Sequence, residues 1–152
     1  MNQARRQLKV LERELFLCLF DKLFVYYNEF IGEKIMAYIK DYSNGRRIIE
    51  IDADYIKDYS NGRRIYEIDG NYVKDYSNGR RVFEIDGNYI KDYTNGRKII
   101  EVDGDYIKDY SNGRRTLEID GNYIKDYSNG RRIYEIEGFV SRRLLLAFIS
   151  IL

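Results

Sequence analysis

The sequence predicts an all-β repeat array of six 17-residue antiparallel β-hairpins, closed into a pseudo-sixfold ring or barrel and carrying a helical, apolar C-terminal segment. Three observations predict it. Tyr38, Tyr55, Tyr72, Tyr89, Tyr106 and Tyr123 each open a near-copy of Y-I-K-D-Y-S-N-G-R-R-I-Y-E-I-D-G-N. A short fixed period marks an architecture whose units bury their apolar faces against their neighbours. Asn-Gly recurs once per copy between alternating apolar residues, which is the strongest short-range hairpin signal. A second turn, such as Asp69-Gly70-Asn71, falls between copies, so the chain reverses about every eight residues and gives twelve short strands.

Residues 1–36 stand apart from the repeats. They hold four of the seven Phe, the single Cys and both Met. Leu8, Leu11, Leu15, Leu19 and Leu23 recur every three or four residues, which gives an amphipathic helix. A second reading is that residues 1–35 are a translated upstream leader. Gly32-Glu33-Lys34-Ile35 can be encoded by a purine-rich, ribosome-binding stretch lying just ahead of an initiating Met36. Glu12 and Glu14 interrupt the apolar run after Arg5, Arg6 and Lys9, which argues against a signal peptide. No segment offers the roughly 18 uninterrupted apolar residues of a membrane helix, so no membrane span is expected and the cytoplasm is the expected location.

Residues 37–138 are the repeats. Within each, side-chain pairing argues for the turn. A two-residue Asn61-Gly62 loop would set Asp58 opposite Ile65. A three-residue Ser60-Asn61-Gly62 loop with a bulge at Gly62 sets Asp58 opposite Arg64 and Ile56 opposite Tyr66, charge on charge and apolar on apolar. The second is expected, with Ile56, Tyr66 and Ile68 on one face and Tyr55, Lys57, Tyr59, Ile65 and Glu67 on the other. Ala53 replaces glycine in the first inter-repeat turn, a cost of about 1 kcal/mol if that site is left-handed. Because a lone hairpin is marginal in water, the copies must pack side by side, and closure removes the exposed edges.

The Y-I-K-D-Y-S-N-G-R-R-I-Y-E-I-D-G units over residues 38–138 resemble the bacterial β-flower repeat proteins. That resemblance implies hairpins radiating as petals about a pseudo-symmetry axis, here a sixfold flower or barrel, and it implies no defined biochemical activity.

Residues 139–152 end the pattern. Ser141 is placed to cap a helix whose first turn carries Arg142 and Arg143, unfavourable charges at the positive end of the dipole. The stretch from Leu144 to Leu152 is apolar except for Ser150. A helix apolar on all sides is buried, either across the repeat array or against another subunit. Leu144, Leu145, Phe148, Ile149 and Leu152 are therefore candidates for self-association into a homo-oligomer.

Twenty-six Lys and Arg against 25 Asp and Glu leave a net charge of +1, so nothing attracts nucleic acid or anionic membrane globally. With no His and one Cys, there is no disulfide within the chain and no Ser–His or Cys–His centre in the repeats. Asp58-to-Gly62 superficially matches a calcium loop, but its glycine comes one residue early and the distal Glu ligand is missing. Asp58 and Glu67 are expected to pair with Arg64 and Lys57, not to form a glycosidase dyad. No catalytic, cofactor or metal residue is predicted.

Fourteen of the sixteen Tyr lie in the repeats. Tyr42, Tyr59, Tyr76, Tyr93, Tyr110 and Tyr127, beside Arg63, Arg80 and Arg114, form the candidate ligand surface for sugars, peptides or single strands. The copies differ mainly at apolar positions (Ile49, Tyr66, Phe83, Ile100, Leu117 and Tyr134), and no copy stands out as the home of a single ligand. The expected function is a non-enzymatic structural or protein-interaction module, with carbohydrate or nucleic-acid binding as the alternative.

Overall fold

The computed structural model describes residues 36–152 and, before them, only Leu19, which is helical and exposed. The helix and leader readings of residues 1–35 otherwise lie outside the described residues. Met36–Leu152 is one compact unit.

Six hairpins follow one another. They are β1 Met36–Asp41 with β2 Arg47–Asp52, β3 Tyr55–Asp58 with β4 Arg64–Asp69, and β5 Tyr72–Asp75 with β6 Arg81–Asp86. Then come β7 Tyr89–Asp92 with β8 Lys98–Asp103, β9 Tyr106–Asp109 with β10 Arg115–Asp120, and β11 Tyr123–Asp126 with β12 Arg132–Gly138. A C-terminal helix, α1, spans Arg142–Ser150. Every strand pairs antiparallel with its sequence neighbours, and β1 pairs with β12, so the twelve strands close into a barrel. The ring is closed, as expected.

The hairpin loop differs from the expected one. Gly62 N donates to Asp58 O at 2.8 Å and Asp58 N to Arg63 O at 2.9 Å, so the loop is four residues, Tyr59 to Gly62. Lys57 then lies opposite Arg64, and a bulge at Ile65 restores Ile56 opposite Tyr66. The expected Asp58–Arg64 pair does not form. The Asp58 carboxylate instead accepts from Ser60 N at 2.8 Å and Ser60 Oγ at 2.6 Å, closing the turn on itself. Nor does Lys57 reach Glu67: it bridges back to Glu50 at 3.1 Å and to Asp52 on β2.

The bulge has a structural use. The carbonyl of Ile65 accepts from Tyr76 N in the next hairpin at 2.9 Å, tying successive units together. The same bond joins Tyr42 N to Ile133 O at 2.9 Å, so the closing seam repeats the junction used elsewhere. At that seam Gly138 has φ +91°, and a Cβ there would stand 2.7 Å from Met36 O. Only glycine lets β12 approach β1 so closely.

Period-two alternation sends one set of side chains inward. Ile39, Ile56, Val73, Ile90, Ile107 and Ile124 are buried on the first strand of each hairpin, and Ile51, Ile68, Ile85, Val102 and Ile136 on the second. Eight strands already leave an interior that side chains just fill, so a twelve-strand barrel needs more. Helix α1 supplies it. Residues 146–150 are all buried, as expected of a helix enclosed on every side. Arg143 Nη2 reaches Asp54 Oδ1 at 2.9 Å and Nη1 reaches Gly70 O at 3.3 Å, while Arg142 reaches Asn88 Oδ1 at 2.8 Å. These acceptors belong to three successive inter-hairpin turns, and they offset the adverse placement of two cations at a helix N-terminus. The buried Ser150 hydroxyl donates to Ala147 O at 2.7 Å, so it leaves no orphan donor in the core.

Candidate functional site

The outward positions carry the candidate surface. On β3 these are Tyr55 and Lys57; on β4 they are Arg64 and Glu67, with Tyr55 opposite Glu67. The Arg64 guanidinium carbon lies 3.9 Å from the Tyr55 ring centroid and 5.6 Å from that of Tyr76 in the next hairpin. Arg64 Nη1 also donates to the Tyr76 hydroxyl at 3.2 Å. The two rings meet edge-on at 5.9 Å and 85°. Each unit is therefore a cation held between two tyrosines from consecutive hairpins, an arrangement favoured by the ring quadrupoles.

The stack recurs around the ring. Arg81 serves Tyr72 and Tyr93, Arg115 serves Tyr106 and Tyr127, and Lys98 replaces arginine between Tyr89 and Tyr110. Arg132 lies over Tyr123 and donates to the Tyr42 hydroxyl at 3.3 Å, so the series crosses the seam unbroken. Arg47 lies 4.0 Å over Tyr38 and also binds Glu137 at 2.8 Å, which locks this copy with an extra ion pair.

Of the sequence-predicted residues, the structure brings the six turn tyrosines into these stacks, each 41–44% exposed. It does not bring Arg63, Arg80 and Arg114 there. They lie exposed at the hairpin tips, each with its backbone N–H on the preceding Asn side chain, as Arg63 N on Asn61 Oδ1 at 2.8 Å. Among the described residues their side chains have no partner. The stacking cations are the next residues along, Arg64, Arg81 and Arg115, because the loop is one residue longer than expected. The Arg-Arg dipeptide was the available signal: adjacent strand residues face opposite ways, so one of the two had to differ in role.

The two ends of each hairpin differ in charge. The tips carry two cations and one aspartate per hairpin, whereas the inter-hairpin end carries Glu67 and Asp69 and their counterparts. There Lys74, Lys91 and Lys108 reach Asp69, Asp86 and Asp103 at 2.5–2.6 Å. These lysines hold the Asp69, Asp86 and Asp103 carboxyls below the ordinary carboxylate range. The barrel's charged outside and apolar inside reverse the pattern of a transmembrane barrel. Among the described residues no helix is long and apolar enough to cross a membrane.

Of the candidate self-association residues, Leu144, Phe148 and Ile149 are buried in the interior of their own barrel, Leu145 is half-buried, and Leu152 is 51% exposed.

The described fold is a closed barrel of tandem antiparallel hairpins around a C-terminal helix. In comparisons with known proteins, the chain matches no family model, no curated protein and no solved structure.

Proposed function

We propose that the protein is a cytoplasmic, non-enzymatic structural or protein-interaction module of the bacterial β-flower kind. One observation carries this reading: the same Tyr–cation–Tyr stack is displayed outward by every hairpin around a closed ring. A catalytic centre needs chemically distinct groups converging once, whereas an identical surface repeated around an axis suits multivalent contact with a partner. Tyrosine and arginine are also the residues that most often dominate protein interfaces. The test is affinity capture with the full chain and with the triple variant Arg64→Gln, Arg81→Gln, Arg115→Gln. The reading expects partners retained by the parent and lost by the variant; identical capture by both rules out the stacks as the contact surface.

A second reading is a carbohydrate- or nucleic-acid-binding domain on the same surface. It is favoured by the exposure of the six turn tyrosines, with a free tip arginine in each hairpin. Glycan-array binding, or oligonucleotide binding that weakens steeply with salt, supports it. The absence of both leaves the protein-interaction reading alone.

A further inference from the structure

The fifth hairpin breaks the repeat where the other five agree. Thr116 stands where the others carry Ile48, Ile65, Val82, Ile99 and Ile133, and the neighbouring Leu117 is aliphatic like Ile49 and Ile100, where Tyr66, Phe83 and Tyr134 are aromatic. Thr116 is thus the polar difference that distinguishes one copy, contrary to the expectation that none stands out.

A cavity lies at this break. Its volume is about 350 Å³, with Ile100, Ile107, Leu117 and Tyr134 as walls and Ile149 of α1 as one side. Hairpin five and α1 meet at this cavity, through Thr116 and Leu117 on one side and Ile149 on the other. Thr116 and Leu152 line the cavity and are exposed, so it opens toward the hairpin tips. The Thr116 hydroxyl is committed to Ile107 O at 3.1 Å, and the lining is mostly apolar.

We propose that this cavity binds the alkyl chain of a medium-chain fatty acid. The lining is mainly aliphatic, which suits a flexible chain better than a polar or planar ligand. An engineered cavity of about 150 Å³ holds benzene, so this one accommodates on the order of ten carbons. Arg115 and Arg132 head β10 and β12, and Arg114 and Arg131 sit in the loops just before them, two residues ahead of Thr116 and Ile133, which line the cavity. Both loop arginines are exposed tip cations with no side-chain partner among the described residues, and they provide for a carboxylate.

Isothermal titration of the full chain with decanoate and with decanol, both below micellar concentrations, tests this. The expected result is saturable one-to-one binding of decanoate. Thr116→Ile with Leu117→Tyr restores the pair already present as Ile65-Tyr66 and Ile133-Tyr134, so it should fold and lose the binding. Ile149→Phe fills the cavity from the helix side and should lose it independently. Arg114→Gln with Arg131→Gln should weaken decanoate several-fold and leave decanol unchanged. No saturable binding to the parent chain, or undiminished binding after both fillings, overturns the proposal. Decanoate binding indifferent to both arginine replacements overturns the carboxylate assignment.

Discussion

Gly96 has φ +69° and nothing within 4 Å of where a Cβ would stand, so its constraint is backbone conformation alone. Gly96→Val should destabilise by about 1–3 kcal/mol, because a β-branched residue is strongly disfavoured at positive φ. Urea unfolding measures it, and an unchanged midpoint would contradict the left-handed turn. Ala53 makes the opposite prediction. It occupies the glycine position of the first inter-repeat turn with φ 52°, the single non-glycine positive φ among the described residues. Ala53→Gly should stabilise by about 0.5–1 kcal/mol, since strain relief exceeds the added freedom of the unfolded chain. This strain was legible in the sequence because the other copies show what the position requires.

Each hairpin is held at its tip by an aspartate whose ionised form the fold prefers. Hydrogen bonds from the Ser60 hydroxyl and backbone to Asp58, and from Thr94 to Asp92, hold both carboxyls below their ordinary range. A lowered folded pKa stabilises above the unfolded value and the benefit is lost as pH falls through the folded one. With no histidine to titrate near neutrality, the melting temperature should stay nearly level from about pH 5 to 9 and fall below about pH 4. Lys91, raised by its bond to Asp86, works the other way: its contribution is present below about pH 10.4 and lost as pH rises further. Scanning calorimetry across pH checks both limbs, and Asp58→Asn with Asp92→Asn should shrink the acid fall. The same turns show why the hairpin was only partly legible. Asn-Gly located the reversal, but the self-capping of Asp58 lengthened the loop by one residue, and the bulge at Ile65 took the shift back. The apolar pair Ile56–Tyr66 was therefore readable, while the Asp58–Arg64 pair and the identity of the stacking arginine were not.

At the scale of the molecule, each strand finds both its partners within residues 36–152. Deleting residues 1–35 should therefore preserve β-type circular dichroism and a cooperative melt; an unfolded product would show that the barrel depends on them. Closure follows from edge avoidance, and the all-round apolarity of residues 144–152 implies burial. Whether that segment meets its own barrel or another subunit is set by the width of the ring, which no local pattern encodes. The barrel's dependence on its helix gives the most exacting prediction. Phe148 is 2% exposed and meets Tyr134 edge-on at 5.9 Å, so it fixes the helix against the wall opposite β6. Phe148→Ala should cost about 3–5 kcal/mol through lost burial and the cavity left behind. Leu145→Asp with Phe148→Asp should go further, since a carboxylate there has no partner and the barrel cannot close on an empty centre. Thermal denaturation with light scattering separates the outcomes. Unfolding or aggregation of the double variant fits a plug, whereas a monodisperse product as stable as the parent would mean that the barrel does not need its helix.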